Sequence, residues 1–308
     1  MNTDNTKKDK SKICLTIAGL DPSGGAGIVA DIKTFTAFGC FATSAVTSIT
    51  FQNTTGVFGA VHQTADTLRG QVEPVIEDFE IAATKTGMLP TREIIEETAR
   101  LVKENNLKNF VVDPVVRSTS GFDLIDDEAL KILIEKLFPL ADLVTPNLPE
   151  AERIVQMKIE NENDIAKAAK LMQSFGAKNV LIKGGHISIL DFGFWILDSK
   201  TKDQRPKTED RKARDFLFVG DEKYVFEADF IETTATHGTG CTLASAIAAN
   251  LALGKSLNEA VEIAKKFVTE AICTAPNLGR GHSPINNSGF KTQDSRFRIQ
   301  DLGFKSLS

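Results

Sequence analysis

Short β-branched runs that end in glycine or proline alternate with amphipathic helical runs from Ile13 to about Ala275. ICLTIAG (Ile13–Gly19) leads into AGIVADIKTFTAFG, which has helical spacing, and FATSAVTSITFQN is β-branched and aromatic. EIAATKTGM, NFVVDPVV, ADLVTPN and KNVLIKGG are further buried-strand candidates, each followed by a helix or turn signal. Between them lie TADTLRGQVEPVIEDF, with a kink or break expected at Pro74, and TREIIEETARLVKENN, which puts Ile94, Ile95, Ala99 and Val102 on one helical face. Repeated β–α units need right-handed crossovers, so the expected fold is α/β, with helices on both faces of a mostly parallel sheet. FGFWILD and DFLFVGDEKYVFEADF depart from the pattern. They read as antiparallel edge strands flanking a charged segment, Ser199–Arg214, whose mixed charges suit a solvated loop.

The chain has 308 residues, enough for one large domain. No internal repeat is present, and the expected division is a disordered start at residues 1–11, one domain at 12–278 and a partly ordered Gly/Asn/Ser-rich tail at 279–308. A net charge of −5 with both signs interspersed gives no electrostatic footprint for nucleic acid. Cys14, Cys40, Cys241 and Cys273 form no CxxC pair, and His62, His186, His237 and His282 are equally scattered, so a structural zinc site is not expected. Isolated thiols fit a reducing compartment. The polar start, MNTDNTKKDKSK, lacks the apolar core of a signal peptide. No uncharged apolar run approaches the ~18 residues of a membrane span. The expectation is a soluble cytoplasmic protein.

Ligands of open parallel sheets bind beyond the carboxyl ends of the strands. GLDPSGGAG, FQN, KTGM, DPVVRSTSG, TPNLPEAE, KGGH and THGTGC all fall at such ends, which suggests one shared cleft. Neither a Walker A loop nor GxGxxG occurs, so both common nucleotide fingerprints are missing. Gly24, Gly25 and Gly27 suit either simple turn chemistry, with Asp21 or Ser23 capping the next helix, or close approach to a ligand. In HGTGC, small residues at a helix start let consecutive N–H groups point at one anion. Cys241 sits in that first turn, where the helix N-terminus is expected to lower its pKa from ~8.5. It reads either as a small buried hydrophobe or as a base for a substrate hydroxyl. Asp113 and Glu150 are candidates for a Mg²⁺ on nucleotide phosphates, with helix-dipole pairing as the plainer reading of Glu150 and Asn147 as the helix cap. Lys183 ends a strand and suits either phosphate neutralisation or snorkelling. Gln52, Asn53 and Met88 offer a neutral wall for a heteroaromatic ring.

LTIAGLDPSGGAGIVADIKTF, QNTTGV, KTGML, DPVV…TSG, TPNLPEAE, LIKGGH and THGTGCTLASAIA, in this order, closely resemble the hydroxymethylpyrimidine/phosphomethylpyrimidine kinases of thiamine biosynthesis, members of the ribokinase-like superfamily. The resemblance implies a three-layer α/β/α fold, ATP and Mg²⁺, and a homodimer. It implies two successive phosphorylations of 4-amino-5-hydroxymethyl-2-methylpyrimidine, to the monophosphate and then to the diphosphate. By the same likeness Gly19, Ala26, Asp31, Gln52 and Met88 line the pyrimidine pocket. Cys241 is the base, Gly238, Thr239 and Gly240 form the anion hole, and Asp113, Glu150, Lys183, Asn147 and Thr236 serve ATP and magnesium. Thr234–Ala235 stand where many relatives carry Lys-Asn, and the Ser199–Arg214 insertion is longer than the family norm. The nearest alternative is pyridoxal kinase, which typically has Asp at the position of Cys241. A non-catalytic pyrimidine sensor is a third, opposed by the intact Asp113, Glu150, Lys183 and Cys241.

Overall fold

A computed structural model describes residues 11–118, 121–184 and 212–289. A nine-stranded sheet of order β3-β2-β1-β4-β5-β6-β7-β8-β9 runs through the described residues. The strands are β1 (Ile13–Leu20), β2 (Phe41–Asn53), β3 (Gly56–His62), β4 (Ile81–Thr86), β5 (Phe110–Val112), β6 (Leu143–Val144), β7 (Asn179–Lys183), β8 (Lys212–Val219) and β9 (Glu222–Asp229). From β2 to β7 the pairing is parallel, while β3 at one edge and β8 and β9 at the other are antiparallel. The mostly parallel sheet with antiparallel edges is therefore observed. FGFWILD lies outside the described residues, as does residues 199–211 of the charged segment, whose last three residues begin β8.

The strands are apolar on both faces because both faces are covered. Leu15 and Ile17 of β1, Phe110 and Val112 of β5, and Val180 and Ile182 of β7 point into one core. Cys14, Val111 and Leu181, their neighbours in sequence, point into the other. That is the two-residue period of a strand between helical layers. The first core is closed by α2 (Ala65–Asp78), α3 (Arg92–Glu104), α4 (Asp127–Leu137), α5 (Leu148–Val155) and α6 (Glu162–Ser174). The second is closed by α1 (Gly27–Ala37), α7 (Thr239–Ala252) and α8 (Leu257–Cys273). α7 is alanine-rich and buried nearly all round, which lets it lie close on the middle of the sheet.

Three local details go beyond the expectations. α2 continues through Pro74, since Leu68 and Val72 anchor its face in the core. GVFGAVH, assigned no element from the sequence because its two glycines weaken the strand signal, forms β3 and pairs with β2. Residues 279–289, the first part of the expected partly ordered tail, are packed: the His282 amide donates to the Thr54 carbonyl at 2.8 Å, and Ile285 and Asn287 are buried. Packing thus continues past residue 278 among the described residues; residues 290–308 lie outside the description.

Candidate active site

The order of the strands reverses between β1 and β4, because β2 follows β1 on one side and β4 joins it on the other. At such a switch point neighbouring crossovers run to opposite faces and leave a crevice beyond the strand ends. A cleft of about 870 Å³ opens there. Its walls include Gly19, Ala26, Gln52, Met88, Asp113, Asn147, Glu150, Lys183, Thr236, Gly238, Thr239, Gly240 and Cys241. Of the expected residues, Asp31 is absent from the walls, as are Asn53 of the neutral wall and Gly24 and Gly25 of the first glycine loop.

Two loops meet at the cleft floor. Asp21, just after β1, accepts from the amides of Ser23 at 2.8 Å and Ala26 at 2.9 Å and from the Ser23 hydroxyl at 2.9 Å. It therefore folds its own loop; α1 has Ala26 at its N-cap and no side-chain cap, contrary to the expected capping by Asp21 or Ser23. Across the cleft, His237 Nε2 lies 2.7 Å from Asp21 Oδ2, with both side chains buried. These hydrogen bonds from His237 and Ser23 outweigh burial and hold the Asp21 carboxyl below its ordinary value. The glycines make this meeting possible. Gly238 has φ +83°, and a Cβ there would lie 1.9 Å from the Gly25 carbonyl oxygen. A Cβ on Gly25 would lie 2.4 Å from the His237 ring.

Gly238 caps α7 with no side-chain hydrogen bond to its first turn. The first-turn amides of an α-helix have no intrahelical partner, so Gly240 and Cys241 present N–H groups and the positive helix end to the cleft. Cys241 is half-buried among them. Its thiol is pushed up to about 11, first by burial and then by the Asp31 and Asp113 carboxylates, against the opposing pull of Lys85 and the Gly27 amide. The expected lowering by the helix N-terminus is overturned: the helix end contributes partial charge, whereas desolvation and two carboxylates act on the sulfur together.

Beside the start of α7, where a Cβ on Gly240 would come within 3.2 Å of Lys183 Nζ, Asp113, following β5, accepts from Lys183 Nζ at 2.9 Å and from the Thr145 hydroxyl at 3.1 Å. Burial pushes the Lys183 ammonium down, but Asp113 and Glu150 outweigh it and keep it above the ordinary lysine value. Glu150 and Asn147 form a capping box at α5, each side chain accepting from the other's amide at 2.8 Å. Asn147 thus serves first as the cap, and Thr236 accepts from Thr239 through its carbonyl. Burial, with Asp113 nearby, raises the Glu150 carboxyl to about 7 despite Lys183. Among the described residues no three His, Cys, Asp or Glu side chains converge as a metal cage. Two carboxylates at a phosphate-sized cleft do fit Mg²⁺, which keeps waters and binds through one or two carboxylates plus substrate phosphates.

The sequence reading missed three site-shaping residues. Asp21 and His237 were noted only as cap and scattered histidine. Lys85 was passed over inside KTGM, although a lysine in an otherwise apolar strand is itself a signal. It is fully buried, donating to both Asp31 oxygens at 2.9 Å. Thr16 at 2.6 Å and Ser245 at 2.7 Å also donate to Asp31, so this carboxylate is engaged behind the pocket wall and does not line the pyrimidine pocket as expected. Thr119, Ser120, Gly185 and His186, parts of two quoted motifs, lie outside the described residues.

Comparison with known proteins agrees with this architecture. The chain is 42% identical over 277 residues to a hydroxymethylpyrimidine/phosphomethylpyrimidine kinase of Bacillus subtilis, covering 90% of this chain and 95% of that protein. A crystal structure of phosphomethylpyrimidine kinase from Clostridium difficile superposes with a TM-score of 0.70 at 40% identity, covering 85% of this chain and 100% of that one. A pyridoxal kinase from Staphylococcus aureus, in complex with AMP-PCP and pyridoxal, superposes with a TM-score of 0.76 at 32% identity, covering 91% and 94%. The family model for phosphomethylpyrimidine kinase matches residues 21–286, both site loops included. The chain belongs to the phosphomethylpyrimidine kinase family.

Proposed function

We propose that this chain transfers the γ-phosphoryl group of ATP to the hydroxymethyl group of 4-amino-5-hydroxymethyl-2-methylpyrimidine, and then a second phosphoryl group to the monophosphate. The observation that carries the reading is the placement of Cys241 and the open first-turn amides of α7 at the switch-point cleft, facing Gly19, Gln52 and Met88. Met88 packs directly on Gly19, its sulfur 3.0 Å from where a Gly19 Cβ would be, so the two form one wall on which a flat ring can lie. The Gln52 amide supplies one donor and one acceptor for the ring edge. The Gly240 and Cys241 amides receive the transferring phosphoryl oxygens, and Lys183 neutralises charge as the bond to ADP breaks. Asp113 and Glu150 would hold Mg²⁺, which supplies charge neutralisation on the nucleotide phosphates. Cys241 takes the hydroxyl proton as that oxygen attacks phosphorus.

The two phosphorylations differ in their need for a base. A hydroxymethyl oxygen must lose a proton, whereas the monophosphate offers an oxygen that is already anionic near neutral pH. Cys241→Ala is therefore expected to lower turnover of the alcohol on the order of 10²-fold or more and to spare the second transfer. The assay supplies ATP, Mg²⁺ and either the alcohol or its monophosphate, and separates the products. Near-normal alcohol turnover in Cys241→Ala would return the thiol to a packing role. Pyridoxal is run beside the pyrimidine, because the superposed S. aureus kinase binds pyridoxal on a similar fold. Consumption of pyridoxal without the pyrimidine would sink the main reading. We infer a homodimer acting in a reducing, cytoplasmic setting; all four cysteines are free, and no helix among the described residues is long and apolar enough to cross a membrane.

A further inference from the structure

Beneath the floor of the cleft lies a charged cluster that no ligand reaches. Thr16 of β1 and Lys85 of β4 are cross-strand partners on the sheet face covered by α1 and α7. The Lys85 ammonium is enclosed there and contacts both oxygens of Asp31 on α1. Asp31 also accepts from Thr16 and from Ser245. Ser245 lies four residues after Cys241 on α7, one turn further along the same helical face. The lysine is thus seated one turn below the sulfur. Its head group has room because Gly87 is a glycine: a Cβ there would come within 3.0 Å of Lys85 Nζ. From the other side the Gly27 amide reaches the same sulfur.

A fold gains little from such a pair, since a buried ion pair is often no more stabilising than apolar residues of the same shape. Four elements nonetheless supply polar groups to hold this one. We propose that Lys85 is a positioning residue for the base: fixed by Asp31, its buried ammonium faces Cys241 and supplies the positive charge against which the thiolate forms. The inference rests on the reading of Cys241 as base. In that step the substrate O–H bond breaks and its proton passes to Sγ. The oxygen forms a bond to the γ-phosphorus of ATP, and ADP leaves with the electrons of the old bond. Lys85 keeps its proton throughout. The other charged groups facing the sulfur are Asp31 on α1, Asp113 after β5 and Lys183 at the end of β7. Of these the two carboxylates oppose thiolate formation, whereas Lys85 favours it and acts more strongly on the sulfur than either carboxylate.

The test is the pH dependence of Cys241 alkylation by iodoacetamide, which reads the thiolate directly. Peptide mass spectrometry separates Cys241 from the exposed Cys273. Wild type is compared with Lys85→Met, and Asp31→Asn with Lys85→Met/Asp31→Asn, a second pair that differs only at the lysine and ends on a variant with no lone buried ion. Within each pair, loss of the lysine is expected to move the alkylation midpoint up by about one unit or more, the effect of removing a nearby opposite charge. Alcohol turnover should fall about tenfold at neutral pH with KM for the alcohol little changed. A Lys85→Met variant that melts like wild type and keeps the wild-type midpoint, or a double variant that keeps the Asp31→Asn midpoint, overturns the proposal, since a packing role alone would not touch the sulfur's titration. A shifted midpoint together with undiminished turnover in Cys241→Ala instead overturns the base reading, while Lys85 remains the charge that sets the thiol.

Discussion

Cys241, the proposed base, holds its proton tightly, and this shapes how the site should respond to pH. With the thiol pushed up to about 11, only a small fraction is thiolate at neutral pH, and that fraction grows tenfold per pH unit. The expected outcome is a kcat/KM for the alcohol that climbs through the neutral and mildly alkaline range. Cys241→Asp should flatten that limb, because a carboxylate is already ionised there; pH–rate profiles of the two proteins check this. Glu150 titrates in the opposite sense for stability. Its folded value, about 7, stands above an unfolded value near 4.5, so ionisation works against the folded state. The stability linked to this group is present below the unfolded value and lost as pH rises through about 7. Glu150→Gln should therefore melt with wild type near pH 5 and be the more stable, by on the order of 1–3 kcal/mol, near pH 8 without Mg²⁺ or nucleotide. Gln can still close the capping box. Thermal melts at both pH values test the sign. From sequence the identities of these residues were legible; their ionisation was not, since it depends on which carboxylates the fold places around a group.

At the scale of elements, the site is two loops tied together rather than one motif. Asp21 and His237 are 216 residues apart, and their contact exists only because Gly25 and Gly238 let the loops touch. The residues from Leu278 onward buttress the same joint: the His237 amide donates to the Ser283 carbonyl, and Asn287 reaches the Gly25 carbonyl. Removing the Asp21 carboxylate leaves the Ser23 and Ala26 amides and the His237 ring without their acceptor. Asp21→Ala is thus expected to cost at least about 2 kcal/mol and to raise KM for the alcohol while lowering kcat, because both the pocket wall and the anion-binding amides lose their tether. Denaturant melts and steady-state kinetics together check it; lost stability with unchanged kinetics would detach the tether from the site. Each loop could be found in the sequence by its glycines, and the strands between them by their apolar runs. The tie could not, because His237 looks like any scattered histidine until β1 and α7 are brought side by side. The packed segment after Leu278 was hidden for a similar reason: its hold comes from backbone bonds to Thr54 and Ala271 that leave no compositional trace.

For the whole molecule, the sheet has a large apolar area that the described residues leave uncovered. Ile49 and Val61 are cross-strand partners on β2 and β3, and Phe51 lies over Gly59. Ile49 is 41% exposed, Phe51 54% and Val61 53%, next to an edge strand whose outer hydrogen-bonding groups have no neighbour in the sheet order. An uncovered edge with apolar side chains invites pairing with another chain, and monomers rarely expose such patches. A second copy of the chain, related by a two-fold axis, would cover the strip with the same strip and close the assembly. The Thr54 turn between β2 and β3 also holds the segment that buttresses the site, and Gln52 lies at the end of β2 in the cleft wall. Assembly through this hairpin would therefore steady the pyrimidine pocket. Phe51→Asp combined with Val61→Lys should convert a dimer to a monomer by light scattering and raise KM for the alcohol more than it lowers kcat. A wild-type protein that is monomeric at high concentration, or a double variant that remains dimeric, would place the strip outside any subunit contact.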